Sequence, residues 1–482
     1  MTVKTSQLSL ASSLLLAACF DPVGSDTTAT GGSDGPATTS SATTVETGST
    51  VSGEGPGTSP GPTGPTSGEE GTVTLTGDTS TGTDTTGEPC TLDVCPCDSA
   101  SECQPGQQCH EGKCVECIDS ATCNGRVCDP VDHVCRACRE HDECPETACE
   151  LDDGVCFPED STSHAFIDPT LVCGEQSCAK DQPCCSIGQA MNQHQDAVHL
   201  VVHLLPGTYS TGIHLVQGGR KIAVLGSELT TFTVDVEPAV LLGDEMQDLA
   251  IDSELYVSQI RIENGQGAAA VRCRSSAQLW LDDVRIVAYG GRAISTADCT
   301  TVVRRNQLAQ NVYSVHIAEG TTLRLENSLV AHFNMGAALE IGNASTANLL
   351  YTTLGDVTQH ESGLFVCLDG TAGLIARNSA LLSHGVVNTF SCASSAAQLE
   401  NSVVSASELE NVETNTSVIQ PQDVPQIFMS WNGGDLHVFA DGGPLAGVAR
   451  WKQGDPRTDV DGDPRPLMDG APDVAGGDRP PG

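Results

Sequence analysis

Residues 323–330 read LRLENSLV. As a strand, this stretch sends Leu323 and Leu325 to one face and Arg324 and Glu326 to the other, because successive side chains alternate across a strand. Asn327 and Ser328 interrupt the alternation, and Leu329 and Val330 resume it. The pattern returns as LYVSQIRI from 255, LWLDDVRI from 279, VVRRNQLA from 302, NLLYTTLG from 348, LIARNSAL from 374 and AQLENSVV from 397, with starts 21 to 26 residues apart. A period of that length means stacked coils, none of which hides its apolar face without its neighbours. Period-two alternation broken by Gly and Asn makes each coil β-rich rather than helical.

Aligning the coils puts Gln259, Asp283, Asn306, Asn327, Thr352, Asn378 and Asn401 in one column. Polar side chains stacked at about 4.8 Å can hydrogen-bond to their counterparts above and below. Asn also tolerates the left-handed backbone of a sharp bend. Three positions on, Ile262, Ile286, Ala309, Val330, Gly355, Leu381 and Val404 form a mostly apolar, inward column. The cysteines fit the same repeat: Cys273 and Cys299 lie 18 and 20 residues into adjacent coils, and Cys367 and Cys392 lie 19 and 18. Equivalent sites about 4.8 Å apart fall within the roughly 4.4–6.8 Å between Cα atoms that a disulfide needs. Cys273–Cys299 and Cys367–Cys392 are therefore expected as staples between rungs. Cys173, Cys178, Cys184 and Cys185 are expected to pair among themselves around an N-terminal cap, where CCSIGQAMNQ reads as a short helix ahead of the strand VHLVVHLLPGTY.

With these features, roughly residues 164–450 resemble the right-handed parallel β-helix of the pectin-lyase-like superfamily. Pro206-Gly207-Thr208-Tyr209 resembles the turn that opens the family's helix, and TDVDGDPRPLMDGAPDVAGGD resembles its closing tail. The expected fold class is all-β: a right-handed parallel β-helix solenoid preceded by a small disulfide-rich module and a disordered linker.

Cysteine dominates from Cys90 to Cys156, in three units of four: Cys97, Cys103, Cys109, Cys114; Cys117, Cys123, Cys128, Cys135; Cys138, Cys144, Cys149, Cys156. Units of about twenty residues cannot fold on apolar burial alone, so cross-links substitute. Four cysteines allow three pairings, which sequence does not choose among. Zinc competes, since Cys114-x-x-Cys117 and Cys135-x-x-Cys138 have ligand-like spacing, but those pairs straddle the joints between units. The tandem pattern resembles EGF-like or Dickkopf-like repeats, which implies a spacer or an interaction module.

The chain opens MTVKTSQLSLASSLLLAAC: one lysine, a short apolar run, then Cys19. The run fits a secretory signal and is too short to span a bilayer. Leu16-Ala17-Ala18-Cys19 resembles the lipobox of bacterial lipoproteins, which implies an acylated (palmitate-type) Cys19 as the first mature residue and leaves an even 22 of the 23 cysteines for pairing. From Phe20 to about Glu88 the chain is Thr, Ser, Gly and Pro without Lys or Arg; such composition buries no core and is expected to be a disordered tether. The expected organisation is a signal peptide at 1–18, the linker at 19–89, the cysteine-rich module at 90–158, the β-helix at 159–455 and a C-terminal cap at 456–482. Net charge is −41, which repels nucleic acid and anionic lipid headgroups. A monomer is expected, held to the membrane through the lipid, exported to the cell envelope and by resemblance at the outer membrane or cell surface.

For chemistry, the resemblance implies lyases or hydrolases of acidic polysaccharide, with carboxylate-held calcium and an Arg base, or clustered Asp. Asp282-Asp283, with Arg261 and Arg285 stacked nearby, is the tempting pair. The milder reading makes Asp283 a turn residue and Asp282 one of an outward row, Ser258, Asp282, Arg305, Glu326, Tyr351, Arg377 and Glu400, that alternates in charge on a solvated surface. A stripe of Arg261, Arg285, Arg272 and Arg274 suits an acidic glycan. His199 and His203 share a strand face but lie roughly 13 Å apart, too far for one ion. Asp459, Asp461 and Asp463 alternate like a calcium loop, yet Pro464 stands where that loop needs glycine, so a polar cap is expected. No catalytic residue, metal site or cofactor is assigned. The favoured function is a non-catalytic binding or adhesion scaffold for extended glycans or a surface protein, with a polysaccharide lyase or hydrolase as the alternative.

Overall fold

The computed structural model describes residues 97–480, apart from 145–146, 244–251, 335, 358–363, 385–389, 393–396, 406–412 and 440. Cys19, the expected signal peptide and the expected linker lie outside the described residues.

Parallel strands wind into a β-solenoid with a 17-stranded sheet and an eight-stranded sheet. Each coil crosses the large sheet, bends, continues on it, and returns through the small one. The register stacks like on like: Leu200, Ile222, Leu255, Leu279, Thr301, Leu323, Ala347, Leu374 and Ala397 follow one another through successive pairings. Past the bend, Phe232, Ile262, Ile286, Leu308, Val330, Leu354, Leu381 and Val404 do the same and are essentially inaccessible. Inward Ala309 and Gly355 of the sequence alignment are thus replaced by Leu308 and Leu354, one residue earlier. Two coils that the repeat count began after, at His199–Leu204 and Lys221–Leu225, belong to the same stack. The upper end is covered by the strand Thr162–Ile167 and the helix Ile187–Gln193, whose first turn is capped by Ser186 accepting from the Gln189 amide at 3.3 Å. The last coil strand is Glu413–Val418, well short of the expected boundary at 455.

The bend column differs from its sequence alignment at two places. Left-handed φ values occur at Gln259, Asp283, Arg305, Asn327, Tyr351, Asn378 and Asn401. Asn306 and Thr352 therefore sit one residue past the bend, not in it. A bulky residue in the left-handed region costs about 1–2 kcal/mol, and both intruders are held by contacts from outside the coils: Arg305 by Glu140 at 2.8 Å, and Tyr351 by the Arg465 guanidinium 4.0 Å above its ring.

Asn306 and Thr352 belong to a second, fully buried polar column with Ser328, Ser379 and Ser402. Here the side chain replaces a backbone acceptor that the bend takes out of reach. Asn306 Oδ1 accepts from the Val284 amide at 2.8 Å, Ser328 Oγ from Asn306 at 3.3 Å, Ser379 Oγ from Thr352 at 3.2 Å and Ser402 Oγ from Ser379 at 3.1 Å. Each serine hydroxyl also donates to a carbonyl two residues back in its own rung, at 2.8 to 2.9 Å. Buried amides left without such partners would each cost about 1–3 kcal/mol.

All twenty cysteines among the described residues form ten disulfides. Each module unit joins its first cysteine to its third and its second to its fourth, so the joint-straddling pairs open to a zinc reading are spent on disulfides within units. Cys173–Cys185 and Cys178–Cys184 hold the upper cap. Cys367–Cys392 is a direct rung-to-rung staple, one step beyond the paired Val366 and Ser391. Cys273–Cys299 is offset: Cys273 pairs in register with Thr296, and the disulfide reaches across the corner to Cys299 at a Cα separation of 6.0 Å.

Two outer layers cover the large sheet. The third cysteine unit packs Cys138, Cys144, Ala148, Leu151 and Phe157 onto Val201, Ala223, Tyr256, Trp280 and Val302, which point outward from the upper coils. Residues beyond Ile419 fold back as short turns and hairpins, packing Phe428, Trp431, Leu436, Leu445 and Trp451 onto Leu329, Ala331, Tyr351, Ala380, Leu382 and Val403.

Candidate functional site

The tempting carboxylate pair is divided. Asp282 is only 2% exposed, under the cysteine module, and it meets Arg304 at 2.9 Å and Arg305 at 2.8 Å. Arg305 also reaches Glu140 of the module at 2.8 Å, and Arg304 donates to the Arg139 carbonyl at 3.0 Å. Burial raises the Asp282 carboxyl, and the two guanidiniums pull it below its ordinary value. Asp282 is thus a docking residue rather than a member of a solvated row. Asp283 stays at the bend, where burial pushes its carboxyl up.

The other candidates are dispersed likewise. Arg261 and Arg285 are register neighbours on the large sheet, whereas Arg272 and Arg274 lie in and just after a strand of the small one. The four make no single stripe. His199 faces Phe157 and Glu150 of the module, while His203 Nε2 lies 3.3 Å from His164 Nδ1 and stacks on Phe166. Asp459 Oδ1 accepts from its own loop, from the amides of Asp461 at 3.0 Å and Asp463 at 2.8 Å. Turn residues Asn327 and Asn378 bond the C-terminal layer instead of their column neighbours: Asn327 Nδ2 donates to the Thr458 carbonyl at 2.6 Å, and Asn378 Nδ2 to that of Arg450 at 2.9 Å. Glu150, Asp152 and Glu254 draw together around Lys221 and the Tyr256 hydroxyl, another joint between module and solenoid.

The small sheet is different. Its outward row, His214, Leu241, Arg272, Ser295, His316 and Glu340, is half-exposed along six consecutive rungs. Beside it Arg292 and Tyr313 are register neighbours, with the guanidinium 5.9 Å from the ring centroid. Glu340 ties the two rows together, accepting from His316 Nδ1 at 2.9 Å and Arg292 at 3.3 Å. The His316 hydrogen bond is the main reason that the Glu340 carboxyl lies below its ordinary value. Tyr313 is 43% exposed, and the Arg292 side chain is 39% exposed. An open aromatic face, a partly exposed guanidinium and a fixed carboxylate on a flat sheet are the means by which a polar chain molecule can be stacked upon and hydrogen-bonded. The sequence alignment passed over these residues because it was phased on the large-sheet repeat. The alternation within RAISTA at 292–297 and YSVHIA at 313–318 was the available signal.

No protein-family model matches the chain, and no curated protein matches it. Three chains of known structure match. One is the crystal structure of PfbA, a surface adhesin of Streptococcus pneumoniae, with 8% identity, a TM-score of 0.23, and coverage of 47% of this chain and 75% of that one. At that identity and score, nothing about ligand or partner carries over from it.

Proposed function

We propose that this is an exported, lipid-anchored envelope protein whose solenoid offers the small-sheet face as a non-catalytic binding surface for an extended, acidic glycan. One observation carries the reading: two outer layers are spent on the large sheet, while the small sheet keeps a half-exposed row with Arg272, His316 and Glu340 on it and Arg292 and Tyr313 beside it. Rungs about 4.8 Å apart repeat along that face, which suits a polymer more than a compact ligand. The ten disulfides support export, because such bonds form and persist in oxidising compartments. The lipid anchor rests on Cys19 and the apolar run before it.

The test is retention of the purified full chain on immobilised uronate polymers, with release of unsaturated or reducing ends measured in the same tubes. Retention without cleavage is expected, and Tyr313→Ala or Arg292→Ala weakens it on the order of tenfold, as for an anchor worth about 1.4 kcal/mol. Cleavage would turn the reading to the enzyme alternative; neither retention nor cleavage would overturn it. Labelled palmitate incorporated by the parent chain and not by Cys19→Ser tests the anchor.

A further inference from the structure

Two loops form the same corner of consecutive coils: residues 195–198 lead into His199–Leu204, and residues 217–220 lead into Lys221–Leu225. They enclose a cavity of about 370 Å³, whose walls include Gln195, Asp196, Val198, Gln217, Gly219 and Arg220. Arg220 is only 5% exposed. Three neutral oxygens hold its guanidinium: Nε donates to the Ala197 carbonyl at 3.0 Å, Nη1 to Gln217 Oε1 at 3.2 Å and Nη2 to the His194 carbonyl at 2.8 Å. That is one bond per nitrogen, which leaves a second N–H on each terminal nitrogen. The bond to His194 also caps the carbonyl end of the helix Ile187–Gln193. Capping accounts for one bond, not for a full charge buried without a counter-ion. The other buried arginine among the described residues, Arg465, has Asp473 at 3.0 Å. Arg220 forms no ion pair among the described residues, although buried charges are as a rule paired.

The corner is also held in shape. Ser253, 2% exposed, accepts from the Arg220 amide at 3.1 Å and donates to the Gln217 carbonyl at 2.9 Å, both through Oγ. Gly219 turns the loop with φ +73°, and a Cβ there would meet nothing within 4 Å, so this side of the corner is open. Asp196 is exposed and is the one carboxylate on the wall; its charge acts on Arg220 without pairing with it.

We propose that this corner cavity binds a small zwitterion, a free α-amino acid, with its carboxylate on Arg220 and its ammonium toward Asp196. A guanidinium fork matches the two oxygens of a carboxylate. The lone carboxylate of the wall keeps a simple anion from being the best occupant and supplies the partner for an ammonium. The volume lies at the lower end of the roughly 300–1,000 Å³ of ligand pockets, which suits one small molecule rather than a run of polymer. The site lies apart from the small-sheet face and does not rest on its role.

The probes are L-alanine, propionate, which lacks the ammonium, and ethylammonium, which lacks the carboxylate. Each is titrated into the full chain by calorimetry at constant ionic strength. L-Alanine binds saturably, propionate binds about tenfold more weakly, as for one lost charge-assisted hydrogen bond, and ethylammonium does not bind. Asp196→Asn, at an exposed position, brings L-alanine down to the level of propionate. Val198→Trp, at a position 55% exposed, fills the cavity and abolishes both titrations. An unchanged denaturant midpoint shows that each variant is folded. No saturable heat with L-alanine would overturn the site, as would binding that survives in folded Val198→Trp. Propionate binding as tightly as L-alanine, or ethylammonium binding at all, would overturn the zwitterion.

Discussion

The cysteine module and the C-terminal layer cover the same sheet by different means. The module is small, its own interior is largely cystine, and it grips the upper coils through aromatic contacts and the buried Asp282. The C-terminal layer contains no cysteine and grips through arginine: Arg465 and Asp473, both 0% exposed, meet at 3.0 Å, and Arg377 meets Asp455. The layers also respond oppositely to protons. Burial drives His141, at the module joint, down to about 4. In the C-terminal layer, hydrogen bonds to Asp461 and Asp435 lift His437 to about 9, and burial lifts Asp478 to about 7. A layer pinned by covalent bonds tolerates a neutral buried histidine, whereas one pinned by charge exploits its titrating groups.

The largest expected effect comes from breaking the charge grip. Arg465→Met removes the buried partner of Asp473 and leaves Arg479, at 2.9 Å, as its remaining cation; it destabilises the C-terminal layer by up to about 3–5 kcal/mol, read by denaturant unfolding, while exchange in 138–156 stays unchanged. The converse variant, Cys138→Ser with Cys149→Ser, costs about 2–5 kcal/mol and loosens the module alone. Acid and base then separate the layers without mutation. His141 binds its proton only in the opened state between pH about 6.5 and about 4, so module docking is full above that window and weakens as pH falls through it, by up to about 3 kcal/mol at about 1.4 kcal/mol per pK unit. His437 acts the other way: its contribution is full below about 6.5 and is lost as pH rises through about 9. Protonated Asp478 likewise favours the closed layer, and that help is lost as pH rises from about 3.8 through about 7. Exchange mapping at pH 4.5 and pH 9 should show the module opening in acid and the C-terminal layer in base. The smallest effect is a control in the solenoid: Ser379→Ala leaves the Thr352 amide without its acceptor, for about 1–3 kcal/mol, with no pH signature.

The solenoid was legible in the sequence because its signal is repeated: one apolar column repeats over nine rungs, and small errors of register cancel. The bend column was legible where Asn, Gln or Asp stands in it. It misled at Arg305, since the adjacent Asn306 was the better guess on propensity, and at Tyr351, where neither it nor Thr352 favours a left-handed backbone. The outer layers supply the missing reason, and they were illegible because their contacts are long-range: Arg305 finds Glu140 and Asn327 finds Thr458 only through the fold. The same holds for the small-sheet face. Tyr313, Arg292 and Glu340 fall in three different coils, and no spacing rule marks them as neighbours.

The five tyrosines test the division into covered and open faces directly. Tyr256 lies under the module, Tyr351 under the C-terminal layer, and Tyr209 and Tyr289 inside, all at 3% exposure or less, while Tyr313 on the small sheet is 43% exposed. Brief nitration of the native chain, followed by peptide mass spectrometry, should modify Tyr313 alone. Modification of Tyr256 or Tyr351 at a comparable rate would contradict the account.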